Sequence, residues 1–113
     1  MNRDPLAYVH HILESMALIE EWVAEGHDRF VTDVRTRQAI IRTLHEITES
    51  VNRLEPLVSD RYLDVPWREV RGFRNVIVHD YLGLKLARVW EIVTVYLPAL
   101  KSHIERMLAE LSS

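Results

Sequence analysis

Apolar residues along this chain return every three or four positions and seldom every second one, the period of helices packed on one face. Leu6, Val9, Leu13, Met16, Ile19 and Val23 draw the first stripe. Asp4-Pro5 ahead of it supplies an N-cap and a proline at the first helical position, where its missing N–H matters least. Gly26 follows as a residue suited to the C-terminal end of that helix. A second stripe, Ile40, Leu44, Ile47, Val51 and Leu54, predicts a helix that starts near Thr32 or Asp33 and stops before Pro56. The segment "PLVSDRYLDV" lacks the period and reads as an irregular connector with a short helical turn.

The third helix is expected to start near Pro66, to bury Trp67, Val70, Phe73 and Ile77, and to end at or near Gly83. The fourth runs from about Leu84 to Tyr96, with Leu86, Trp90, Val93 and Leu97 inward. Pro98 kinks or restarts the chain. The last helix, to Leu111, buries Leu100, Ile104, Met107 and Leu111. Short connections make neighbouring helices antiparallel. The expected fold is all-α: an up-and-down bundle of four helices with a kinked or fifth segment, one domain over residues 1–113.

Composition narrows the chemistry. The 113 residues include no cysteine, which excludes disulfides, thiolate metal ligands and a cysteine nucleophile. No apolar run approaches the roughly 20 residues that span a bilayer, and no signal peptide is evident, so the expected location is the cytoplasm. The net charge of −3 argues against coating nucleic acid by bulk charge and leaves room only for a local basic site. Six histidines raise the question of a metal. His10 and His11 are adjacent and diverge by about 100° on a helix. His27, His45 and His103 have no histidine four residues on, and HExxH is absent. The expectation is no metal and no cofactor. There is no glycine-rich phosphate loop, and Ser15, Ser50, Ser59 and Ser102 have no nucleophile-elbow context. Mixed charges on the second helix read as a solvated face, and Trp22, Trp67 and Trp90 as core or interface anchors.

The segment "WREVRGFRNVIVHDY" stands apart. Arg68, Arg71 and Arg74, spaced by three, gather positive charge on an otherwise acidic chain. Gly72 lies mid-helix, where glycine costs about 1 kcal/mol relative to alanine. Such a glycine admits either a close neighbour or ordinary helix packing. Tyr81 shares a face with Arg74, and His79 with Asn75. Arg74 and His79, five apart, diverge by about 140° on an ideal helix. They meet at one small ligand only if the helix ends near His79 or a second copy completes the site. On composition alone this is also an ordinary polar helix end.

"RNVIVHDY" resembles the Arg-X4-His-X-Tyr motif of the HEPN superfamily, in its HepT-like branch. The "PWRE" entry to the helix, the polar Asn75 after the arginine and the later "VWEIV" are similar as well, and "RQAIIRTLHEITESV" more loosely. The resemblance implies a helical, metal-independent ribonuclease toxin that cuts RNA by attack of a ribose 2′-hydroxyl. Arg74 and His79 are then catalytic and Asn75 a secondary polar residue. Asp80 either tunes His79 or caps the helix, and Arg68 and Arg71 contact the RNA backbone or are simply solvated. The resemblance also implies a homodimer with a shared cleft, and a higher assembly with a minimal nucleotidyltransferase antitoxin that adds AMP to Tyr81. The alternative is a non-catalytic helical module that docks the nucleotidyltransferase or a nucleotide.

Overall fold

Asp4 accepts a hydrogen bond from the Leu6 backbone N–H at 3.0 Å and starts helix α1 (Pro5–Val23), with Pro5 at its first position. The computed structural model describes residues 4–80 and 86–113, the side chains of His79 and Asp80 excepted. Six α-helical segments follow one another in it: α1, α2 (His27–Thr32), α3 (Val34–Val58), α4 (Trp67–Asp80), α5 (Leu86–Glu91) and α6 (Leu97–Leu111). A π-helical turn, Ile92–Tyr96, joins the last two. No strand occurs among the described residues, so the fold is all-α as expected.

Helix α3 is the spine. It packs along α1 on one flank and α4 on the other, while α6 lies against α1. Every residue of its predicted stripe is buried, from Ile40 to Leu54. Trp67, Val70, Phe73 and Ile77 of α4 are buried as well. In α1 the core lies slightly off the predicted line: Ile12 and Ser15 are buried, and Leu13 only partly. His11 and Ser50 share a 2.7 Å hydrogen bond in the α1–α3 seam. On the outer side of α3 the mixed charges pair at i,i+4 as expected, Arg42 with Glu46 at 3.7 Å and His45 with Glu49 at 3.9 Å.

One helix was not anticipated and one expectation needs correction. Residues 27–32 form a short helix in which Phe30 is buried and packs against Trp90, ring centroids 5.1 Å apart. Helix α3 does not stop before Pro56 but runs through it to Val58. The proline removes only the N–H that Asn52 would have accepted. Burial of Val58, and a 2.8 Å bond from the Ser59 N–H to the Glu55 carbonyl, carry the last turn. The last helix restarts at the expected place: α6 begins at Leu97 with Pro98 in its first turn, directly after the π turn. The Leu97 N–H bonds back to Ile92, five residues away, so the turn is one residue wider just ahead of the proline ring. Val93 and Leu97 are buried as expected, whereas ahead of the turn Val89 is fully buried and Leu86 and Trp90 only partly so. The expected start of this helix at Leu84 and the Gly83 boundary lie outside the described residues.

The connector between α3 and α4 is pinned to α6. The Tyr62 hydroxyl donates to Glu110 at 2.7 Å, and Arg106 grips Asp64 with two 2.8 Å bonds. Trp67 donates its indole N–H to the Tyr62 carbonyl at 2.9 Å, which ties the first residue of α4 to the same point. Burial, and then the bond to Glu110, push the Tyr62 phenol above its ordinary pKa. Tyr62→Phe removes that bond while keeping the ring. It is expected to cost about 1–2 kcal/mol, read as a lowered denaturation midpoint at unchanged helicity.

Candidate functional site

Helix α4 displays different chemistry on each side, and its contacts say which side is which. Arg71 forms an ion pair with Glu55 of α3, so that flank looks toward α3. On the opposite flank Glu69, Gly72 and Phe73 line an open cleft of about 310 Å³, closed by Arg88 and Tyr96. Between the flanks runs a solvent-facing stripe at positions 68, 72 and 75, whose spacing position 79 continues. Arg68, Gly72 and Asn75 on this stripe are exposed.

Arg74 is exposed too, on the α3 side and about 60° around the helix from Arg71. Neither Arg68 nor Arg74 has an ion-pair partner among the described residues, unlike Arg71. The Arg71–Glu55 pair is solvent-exposed, and exposed pairs contribute only about 0–1 kcal/mol, so an incoming phosphate can displace the carboxylate. The helix continues through positions 79 and 80. Asp80 is the last described residue before position 86, one residue past His79. Over the described helix Arg74 and His79 diverge by about 140°, so one compact site requires a helix end just beyond His79 or a second copy of the chain. Tyr81 lies outside the described residues.

Two features escaped the sequence reading. A Cβ at Gly72 would meet no atom within 4 Å among the described residues, so none of them needs the glycine as a close neighbour. Its exposed backbone is instead part of the cleft. The second feature is Asn52 of α3, whose amide oxygen is buried and has no hydrogen-bond partner among the described residues. Asn52 sits one turn before Glu55. Glu55 is the α3 residue that pairs with Arg71 of α4. A buried acceptor without a donor costs about 1–3 kcal/mol, and a guanidinium carries five donors. Nothing in the local sequence marked this asparagine, because its significance comes from the α3–α4 register.

Among the described residues no three His, Asp or Glu side chains come together as a metal-binding group, and no helix is long and apolar enough to cross a membrane. The exposed arginines instead offer planar, permanently charged donors suited to phosphate.

Comparison with known proteins agrees with this chemistry. The family described as ribonuclease HepT-like matches residues 12–107. A Methanocaldococcus jannaschii protein named "gamma-glutamylcyclotransferase and putative RNase" is 34% identical over 98% of this chain, which spans half of that longer protein. A second protein of that organism, named "putative RNase", is 31% identical over 92% of this chain and 96% of its own length. One from Thermococcus cleftensis, named "probable ribonuclease HepT", is 31% identical over 95% of this chain and 98% of its own. No solved structure matches at the same stringency.

Proposed function

We propose that this chain, which belongs to the ribonuclease HepT-like family of the HEPN superfamily, is a metal-independent endoribonuclease with its site on α4. The observation that carries the reading is the exposure of Arg74 and Asn75 on a helix that continues through position 79, within the family match. His79 takes the proton from a ribose 2′-hydroxyl as its oxygen attacks the adjacent phosphorus. An imidazole suits this because its ordinary pKa lies near 6.5. Arg74 holds the phosphorane charge with its fork of N–H donors. The P–O5′ bond breaks, and the leaving oxygen takes a proton from the histidine that arrives with the second copy. The products are a 2′,3′-cyclic phosphate and a 5′-hydroxyl. Asn75, on the face of position 79, orients the base or the phosphate. Asp80 tunes His79 or caps the helix. Arg68, and Arg71 once released from Glu55, track the RNA backbone.

The biological reading is a cytoplasmic toxin held in check by a minimal nucleotidyltransferase, which adds AMP to Tyr81. The active form is a homodimer with α4 at or near the interface. Light scattering at tens of micromolar is expected to give twice the chain mass, and a clean monomer removes the composite site. Purified protein is expected to degrade total RNA in EDTA. Intact RNA at every dose leaves the reading of a non-catalytic module that docks the nucleotidyltransferase or a nucleotide.

A further inference from the structure

The cleft between α4 and the π turn is built from groups that the cleavage chemistry does not use. Tyr96, the last residue of the π turn, presents its ring with the Arg88 guanidinium 5.1 Å from its centre. Phe73 lies behind, its ring centroid 6.1 Å from that of Tyr96. Arg88 is held by an ion pair with Glu91 and by its place over the Tyr96 ring. On the α4 side stands Glu69, which has no ion-pair partner among the described residues, and beside it the bare backbone of Gly72. The volume of about 310 Å³ lies at the lower end of the range for small-molecule sites, the size of a single heterocycle with its sugar.

We infer that this cleft is a nucleobase subsite, which receives a base of the RNA flanking the cut and prefers one that carries an amino group. The inference rests on the ribonuclease reading above. Unstacked RNA bases are commonly held on aromatic rings and guanidinium planes, and Tyr96 with Arg88 supplies one of each. Glu69 accepts from the exocyclic amine of adenine, cytosine or guanine, whereas uracil offers it none. Gly72 lies on the same helical face as position 79 and about 10 Å along the axis, a separation of one or two nucleotides from the cleavage point. Any side chain at position 72 enters the space the base takes. This accounts for a helix-weakening glycine at a point where the protein's own atoms leave room for a Cβ.

The test is fluorescence anisotropy with labelled eight-nucleotide oligo(A) and oligo(U), in the His79→Ala background so that the RNA survives. The parent is expected to bind oligo(A) several-fold more tightly than oligo(U). Gly72→Leu, which fits without a clash and favours the helix, is expected to weaken oligo(A) binding about tenfold, as loss of one stacked base does. The salt dependence should stay unchanged, because no phosphate contact is removed. Glu69→Ala is expected to abolish the preference for oligo(A), and Arg88→Gln to weaken both ligands. Undiminished affinity in Gly72→Leu, or a preference that survives Glu69→Ala, overturns the subsite while leaving the ribonuclease reading intact. Weakening in Gly72→Leu that accompanies dissociation to monomers, with Arg88→Gln binding normally, overturns it in favour of a contact between copies. A parent that binds neither oligonucleotide removes the ribonuclease reading and the subsite with it.

Discussion

His79→Ala is expected to slow RNA cleavage by about 10²–10⁴-fold, the usual consequence of removing a positioned proton-transfer group. Arg74→Ala is expected to fall in the same range, because one preorganised donor to the developing anion contributes about 10²–10³ in rate. Neither variant should unfold the protein. Arg74 is exposed without an ion-pair partner among the described residues, and position 79 follows exposed Asn75 by four residues in the last described turn of α4. Surface substitutions of this kind usually change stability by no more than about 0.5 kcal/mol. Arg74→Lys keeps the charge but loses the planar fork, so it should recover little of the rate. Either alanine variant cleaving at nearly the parental rate, with unchanged circular dichroism, shows that the role given to that residue is wrong.

The second large effect concerns control. Full modification of Tyr81 with AMP is expected to silence cleavage. The phenol oxygen bonds to the α-phosphorus of ATP, pyrophosphate leaves, and the proton passes to solvent or to a base of the partner. Tyr81 follows Arg74 by seven residues, on the same helical face and about 10 Å along the axis if the helical path continues. The added phosphate is then within reach of Arg74 and of Arg71, whose exposed pair with Glu55 yields readily to a stronger anion. The modification thus occupies the phosphate site of the substrate and excludes RNA without disturbing the core. Co-expression with a minimal nucleotidyltransferase of the proposed kind, followed by intact mass and peptide mapping, is expected to show one or more AMP units on the Tyr81 peptide and none in Tyr81→Phe. An unmodified Tyr81 in a fully inhibited complex contradicts the switch and points to occlusion by the partner. Tyr81 would then be a packing residue against the following helix.

How much of this was legible in the sequence depended on whether the signal was local. The stripes of α3 and α4 are buried at the residues that periodicity named, Ile40 to Leu54 and Trp67 to Ile77, because a 3.6-residue period needs no tertiary information. The errors fell where distant contacts override a local rule. Phe30 makes a helix of a six-residue stretch because Trp90 waits some sixty residues away. Pro56 read as a breaker, yet α3 passes through it to the buried Val58. In the candidate site, the spacing of Arg74 and His79 gave the angular conflict, while the chemistry came from the resemblance of the motif, and the described helix reaches Asp80. Asn52 and the cleft beside Gly72 were not legible. Each exists only through the packing of α4, on α3 in one case and on the π turn in the other.

The central claim, cleavage of RNA by the residues of α4 without a metal, is tested most directly by the ends it leaves. Purified protein incubated in EDTA with a defined single-stranded RNA is expected to yield fragments with 2′,3′-cyclic phosphate and 5′-hydroxyl ends, and His79→Ala under the same conditions should yield almost none. Cleavage that stops on chelation and leaves 3′-hydroxyl and 5′-phosphate ends, or that proceeds equally in His79→Ala, contradicts the account.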